Sequence, residues 1–194
     1  LTGFDVYGKT IGIIGTGKIA KIFIKIMKGF GTKVLAYDPY PDTRAAEELG
    51  YEYTHLETIY READIISLHC PLNKETFHII NSDAIQRMKD GVMLLNTGRG
   101  KLIDTNALIE GLKSRKIGAA GLDVYEEESD IFYEDFSNSI IKDDILAMLV
   151  SLPNVIITSH QAFLTNEALK NIAETTLKNL SDYFDGKATN NEIC

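Results

Sequence analysis

Short apolar runs punctuate the chain: TIGII at 10–14, then Val34–Tyr37, Ile65–Leu68, Val92–Leu95, Ala119–Val124 and Val155–Thr158. None alternates apolar with polar residues. A strand that is apolar on both sides is buried on both sides, as in a parallel sheet covered by helices. Between the runs, Thr43–Leu49, Leu56–Ala63, Ser82–Lys89 and Asn106–Lys116 read as helices, and a weak strand at Glu52–Thr54 completes the first half. Ser82, with Asp83 behind it, is the expected N-cap of one helix, and Asp104 or Thr105 of the next. After Gly17, Ile19, Ile22, Phe23, Ile26, Met27 and Phe30 recur at helical spacing as an apolar face, with Lys18, Lys21, Lys25 and Lys28 opposite; Gly29 and Gly31 bracket the helix end. Residues 165–185 read as a long helix with Leu169, Ile172, Ala173, Leu177, Leu180 and Phe184 on one face. Residues 125–150 are acidic and hold no clear strand, and a loop of that length inside a compact domain is usually functional. The strand–helix repetition predicts an α/β, doubly wound, mostly parallel sheet of about seven strands with helices on both faces.

The first unit of that pattern carries chemistry. TIGIIGTGKIA leads through the helix to KVLAYD, an apolar run, a glycine-rich turn, a helix, a second apolar run and a terminal acid. That order is a dinucleotide-binding βαβ unit. Gly15 suits the tight turn, Gly17 lets backbone approach a pyrophosphate, and the helix opening near Lys18 presents N–H groups and a positive dipole end. Ala20 takes the third glycine position. Asp38 stands where an acid accepts ribose hydroxyls. Its charge would repel a 2′-phosphate, and Pro39-Tyr40-Pro41 offers no arginine to receive one, so NAD is expected over NADP.

Composition narrows the class. The 194 residues suit a domain with a sizeable core, and 44% hydrophobic content argues against disorder. Net charge is −8 and no Lys/Arg block dominates, so a nucleic-acid surface is not expected; the lysines beside Gly17 read as a solvated helix face. Two cysteines, Cys70 and Cys194, make no disulfide framework, and no apolar run is long enough to span a bilayer, so a cytoplasmic setting is expected. His55, His69 and His78 have no partners at metal-ligand spacing.

Ligands in doubly wound sheets bind beyond the carboxyl ends of the strands. Those ends lead into Gly15–Gly17, Asp38, His69-Cys70-Pro71, Asn96-Thr97-Gly98-Arg99-Gly100, Asp123 and Ser159-His160. Arg99 could clamp a substrate carboxylate with its fork or be a surface arginine. His160 could be a proton donor or a structural hydrogen-bonder, and Asp123 could hold a nicotinamide amide or cap backbone groups. Glu128 shares an acidic cluster with Glu126 and Glu127, which on pattern alone reads as solvated loop.

At NTGRG, GLDVYEEE and SHQAFLTNEA, and over YGKTIGIIGTGKIA and LHCPLNKETFHIIN, the chain resembles the D-isomer-specific 2-hydroxyacid dehydrogenases. The resemblance covers nearly the whole chain, and DIFYEDFSNSIIKDD is similar to the D-lactate branch of that family. It implies a Rossmann-type NAD-binding domain and a catalytic trio of Arg99, Glu128 and His160. Gly98 stands where the family's N-x-S-R-G motif has serine, which removes one hydroxyl contact. The implied cofactor contacts are Gly15, Gly17, Lys18, Ile19, Asp38, Cys70, Pro71, Thr76, Thr97, Gly98 and Asp123. The implied reaction moves a hydride between NADH and a small 2-keto acid, pyruvate to D-lactate. His160 would give the proton, Glu128 would favour the imidazolium and orient the ring, and Arg99 would hold the carboxylate.

The resemblance also implies organisation. Residues 1–186 correspond to the NAD-binding domain and 187–194 to a tail toward a substrate domain whose N-terminal part is not in this chain, so little activity is expected of the chain alone. A homo-oligomer is expected. Rival readings are another 2-hydroxyacid substrate (hydroxyisocaproate, glycerate or phosphoglycerate), a non-catalytic NAD-sensing relative, and a methyltransferase, which would leave Arg99 and His160 without roles.

Overall fold

The computed structural model describes residues 3–127, 144–187 and 191. Chain contacts divide the protein into two units, Leu1–His160 and Gln161–Cys194. The first unit is a seven-stranded sheet built from β1 (Thr10–Ile14), β2 (Lys33–Tyr37), β3 (Glu52–Tyr53), β4 (Ile65–Leu68), β5 (Val92–Asn96), β6 (Ile117–Leu122) and β7 (Val155–Ile157), in the order β3-β2-β1-β4-β5-β6-β7. Every pairing is parallel. The order reverses between β1 and β4, which opens a crevice at their carboxyl ends.

The helices of this unit are α1 (Lys18–Gly29), α2 (Thr43–Leu49), α3 (Leu56–Glu62), α4 (Ser82–Arg87), α5 (Thr105–Lys113) and α6 (Asp144–Ser151), with a 3-10 turn at Gly100–Leu102. Alternate strand residues feed two cores. Leu35, Ile66, Leu68, Val92, Leu94, Ala120 and Leu122 pack under α3, α4, α5 and α6. Ile11, Ile13, Val34, Ala36 and Ile65 pack under α1 and α2. Helices on both faces explain why the strands carry no alternation.

Several boundaries differ from expectation. The strand expected at 119–124 is β6, two residues earlier, so Asp123 lies just beyond a strand end. Asn81, not Ser82, caps α4, its side chain accepting from Ala84 N at 3.0 Å; Asp104 caps α5 in the same way. Part of the stretch expected to hold no regular structure is α6. In α1 only Ala20 and Ile24 are fully buried, while Phe23 and Met27 are half-buried. Ile19, Ile22, Ile26 and Phe30 are exposed, because the apolar stripe is wider than the strip of helix that meets the sheet. The helix ends with Phe30 as cap and Gly31 left-handed at φ +74.

The second unit contains α7 (Asn166–Phe184), capped by Thr165, whose hydroxyl accepts from Ala168 N at 3.1 Å. Its face of Leu169, Ile172, Leu177, Leu180 and Phe184 is exposed.

Candidate active site

The strand register sets the site. Tyr37, Ile14, Leu68, Asn96, Leu122 and Ile157 are neighbours in a single row across the sheet. With strands about 4.8 Å apart, that row runs about 24 Å. Asp38, Gly15, Gly17, Cys70, Arg99, Asp123 and His160 each follow a member of the row by one to three residues. The described candidates of the first unit thus share one rim.

On the β1 side the turn is shaped by glycine. Gly15 sits at φ +93 and donates to the Tyr37 carbonyl at 2.8 Å; a Cβ there would come within 2.5 Å of Cys70 N. Gly17 opens α1 without a side-chain cap, and a Cβ on it would meet nothing within 4 Å. The first turn of α1 carries no acid, and Lys18 and Ile19 are exposed beside it. Open N–H groups, a positive dipole end and room for close approach fit a pyrophosphate.

Asp38 is held by three donors. Its Oδ2 accepts from Thr16 N at 2.7 Å and Thr16 Oγ1 at 2.9 Å, and its Oδ1 accepts from Tyr40 N at 2.9 Å. It forms one wall of a cleft of about 470 Å³ lined also by Gly15, Cys70, Pro71 and Thr76. Thr76 ties the far wall together, donating to the Pro71 carbonyl at 2.6 Å. Burial pushes the Cys70 thiol up to about 11, so it stays protonated at neutral pH. The cleft, its carboxylate and the open helix end fit a dinucleotide's adenosine half and pyrophosphate.

On the β5–β7 side, backbone is what is fastened. Asn96, buried at the strand end, accepts from Gly98 N at 3.0 Å and donates to the Arg99 carbonyl at 2.9 Å, stapling the turn that carries Thr97, Gly98 and Arg99. Gly100 seats that turn on the next segment, since a Cβ there would lie 2.0 Å from the Tyr125 carbonyl oxygen. Arg99 itself is exposed, and its Nη1 donates to the Gly98 carbonyl at 2.8 Å. Asp123 is buried; its N–H donates to the Asn96 carbonyl at 2.9 Å and its carboxylate accepts from the Thr158 hydroxyl. The Asp123 carbonyl accepts from His160 N at 2.8 Å, and His160 is half-buried at φ +51, a conformation non-glycine residues seldom adopt.

The acidic run divides. Glu126 accepts from Thr105 Oγ1 at 2.8 Å and pairs with His78 Nε2 at 2.8 Å. Burial works to raise its pKa, but the bonds from His78 and Thr105 outweigh it and hold the carboxyl low. Glu126 is thereby committed to joining the His78 loop to α5. Glu127 is exposed, and Glu128 lies outside the described residues. Among the described residues no group of His, Cys, Asp and Glu is placed to hold a metal, and no helix is long and apolar enough to cross a membrane.

Some residues of this rim escape a reading of pattern alone. Asn96 and Thr16 do their work through local hydrogen bonds, and the signal for Asn96 was its place before glycine at a strand end. Tyr53 and Thr158 come from distant segments, and nothing in their neighbourhoods marks them.

A family model described as D-isomer specific 2-hydroxyacid dehydrogenase, NAD binding domain, matches residues 1–162. The D-lactate dehydrogenase of Escherichia coli is 55% identical over 193 residues, which is 100% of this chain and 58% of that protein. The structure of Salmonella D-lactate dehydrogenase superposes with a TM-score of 0.87 at 55% identity, over 97% of this chain and 57% of that one. The D-lactate dehydrogenase with NAD+ from Lactobacillus jensenii gives a TM-score of 0.90 at 35% identity, over 100% of this chain and 58% of that one. The chain therefore spans under two thirds of the length of these relatives.

Proposed function

This chain belongs to the D-isomer-specific 2-hydroxyacid dehydrogenases, through their NAD-binding domain, and from that premise we propose that it serves an enzyme reducing pyruvate to D-lactate. The observation that carries the proposal is the row across the sheet, which puts Asp38 and the glycine turn at one end and Arg99, Asp123 and His160 at the other.

NADH, when bound, would supply the hydride for the carbonyl carbon. Gly17 and the α1 N-terminus, with Lys18 and Ile19, would hold the pyrophosphate, with Thr97 and Gly98 as further contacts of the cofactor. Asp38 takes the adenosine ribose, and Cys70, Pro71 and Thr76 wall the adenosine cleft. Asp123, anchored by Thr158, receives the nicotinamide amide. Arg99 turns from the Gly98 carbonyl to clamp the substrate carboxylate with two bonds. Protonated His160 gives its proton to the carbonyl oxygen as general acid, and neutral His160 takes it back in the reverse direction. Glu128 favours the imidazolium and orients the ring. We assign residues 1–186 to the NAD-binding domain and 187–194 to a tail that connects in sequence to the substrate part of the protein. The whole protein works as a homo-oligomer, for which the exposed Ile22, Ile26 and Phe30 face of α1 is the supporting observation.

The test is Asp38→Ser in the full-length protein, with pyruvate and each cofactor. Loss of the carboxylate should weaken NADH roughly ten- to a hundredfold and lift the repulsion of NADPH. An unaltered NADH preference would refute the role of Asp38. D-lactate must be the product; L-lactate, or no turnover with tight NADH binding, would overturn the proposed reaction.

A further inference from the structure

Behind Asp38 stands a row of hydroxyls that the reaction itself does not use. Tyr53 ends the short β3 and Tyr51 immediately precedes it, with rings edge-on at 5.3 Å. Tyr51 OH lies 3.1 Å from Tyr53 OH, Tyr53 OH lies 2.8 Å from Thr16 Oγ1, and Thr16 Oγ1 lies 2.9 Å from Asp38 Oδ2. The direction of every proton follows from the end of the row. An ionised carboxylate only accepts, so Thr16 donates to Asp38. Thr16 has one hydroxyl proton, so Tyr53 donates to Thr16, and by the same reasoning Tyr51 donates to Tyr53. Tyr53 also accepts from Asp42 N at 2.9 Å, which fixes its oxygen from the α2 side.

Bonds running one way into a charge polarise one another. They also determine which lone pairs remain. Oδ2 of Asp38 already takes two donors, both from Thr16, whereas Oδ1 takes only Tyr40 N. Oδ1 is therefore the atom with capacity for a ribose hydroxyl. Thr16 is the middle residue of the Gly15–Gly17 turn, so the row also fixes Asp38 relative to the pyrophosphate cradle. A phenylalanine would fill the apolar volume at 53 equally well, so the hydroxyl is what needs explaining. Burial and the neighbouring Tyr53 both raise the Tyr51 pKa, in keeping with its place as a donor.

We propose that Tyr53, backed by Tyr51, is a positioning residue for dinucleotide selectivity, holding Asp38 through Thr16 so that its Oδ1 meets the adenosine ribose and its charge faces the 2′ position. The proposal rests on the reading of Asp38 as ribose acceptor. Without the Tyr53 hydroxyl, the Thr16 hydroxyl loses the donor that orients and polarises its bond to Asp38, so that bond weakens while those from Thr16 N and Tyr40 N remain.

The experiment measures Kd for NADH and for NADPH by cofactor fluorescence on the full-length protein, with KM and kcat for NADH and a melting curve for each variant. Tyr53→Phe should raise Kd for NADH roughly three- to tenfold, the worth of one hydrogen bond, and leave NADPH unweakened. The loss should appear in KM rather than kcat. Tyr51→Phe should act in the same direction by about twofold, and it carries the test if Tyr53→Phe does not fold. Thr16→Ser keeps the relay hydroxyl, so adding Tyr53→Phe to it should still weaken NADH binding. In a Thr16→Val background, adding Tyr53→Phe should cost nothing further, because the path to Asp38 is already cut. Additive losses in that double variant, or equal weakening of NADH and NADPH, would overturn the proposal in favour of mere packing. Asp38→Ser separates the two ideas: if it abolishes the NADH preference while Tyr53→Phe and Tyr51→Phe leave it intact, only the relay fails. If Asp38→Ser changes nothing, the ribose reading fails and the relay with it.

Discussion

Over β1, β2 and β4 the rim is a walled cleft of about 470 Å³ whose acceptor, Asp38, already has its donors in place. Over β5 and β6, the space enclosed behind the turn is about 10 Å³, and Arg99 and Thr97 stand exposed in front of it. The first half fixes a side chain. The second fixes mainly backbone, through the Asn96 staple, the Gly100 seat and the bond from His160 N to the Asp123 carbonyl; Thr158 holds the Asp123 side chain, while the charged head of Arg99 is left on its own turn. The contrast fits two tasks. A cofactor's adenosine end is recognised the same way in every cycle, so its partners gain from being set in advance. A group that must take hold of a substrate carboxylate and release it again is better kept in solvent with its base anchored.

That comparison predicts separable effects. The largest belongs to the second half. His160→Ala in the full-length protein should lower kcat by roughly 10²- to 10⁴-fold, the usual worth of a general acid. Kd for NADH should stay within about twofold, because the loss is one of transition-state stabilisation. Single-turnover kinetics beside a fluorescence titration would measure both. A large loss of NADH affinity with little change in kcat would erase the division and move the acid role elsewhere.

Next in size is the seat of the Arg99 turn. Gly100→Ala drives a methyl group into the Tyr125 carbonyl, which has no flexible side chain to yield. Overpacking of this kind costs about 1–3 kcal/mol, which lowers Tm by about 2–4 °C per kcal/mol in a protein of this size. Because the turn also carries Arg99, KM for pyruvate should rise while Kd for NADH holds. If NADH binding falls as far as pyruvate binding does, the two halves are one mechanical unit and the comparison breaks.

Much of this arrangement was legible in the sequence, for identifiable reasons. β1, the Gly15–Gly17 turn, α1 and Asp38 form a local pattern in which each residue's role depends on its near neighbours. β6 was misread by two residues because Gly118 and Gly121 thin its apolar signal, while Val124 and Tyr125 beyond its end are buried and look like strand. α6 was missed because DILAMLVS is nearly all apolar, and a run without polar gaps has no helical period to read, although only Leu146 and Leu149 are buried. The Tyr51–Tyr53–Thr16 row was out of reach for another reason. Periodicity counts a tyrosine ring as core and carries no information on where its hydroxyl points.

The smallest expected effect tests the first half from within. His69 lies at the point where the strand order reverses, its N–H donating to the Ile14 carbonyl at 2.7 Å. Its ring tilts against Phe23 of α1 at 5.3 Å, and Nε2 is 2.9 Å from the Ser67 hydroxyl, which is itself buried. Burial lowers its pKa from 6.5 to about 4. Below pH 6.5 the unfolded chain therefore binds a proton that the folded protein refuses. The stability this group leaves intact above its unfolded pKa is lost as pH falls, until the folded form also titrates near 4. Between pH 7 and 5.5 the loss amounts to about 1 kcal/mol, or about 2–4 °C in Tm. His69→Gln keeps a partner for Ser67 and removes the titration, so its Tm should change less across that interval than the wild type's, whatever its starting value. The same acid shift should leave the slope of the Gly100→Ala variant equal to the wild type's, since the strain there is steric. If His69→Gln retains the full acid slope, the closed packing of the cofactor half is not what makes the protein acid-sensitive. The contrast between a sealed half and an open one then rests on the cleft and Asp38 alone.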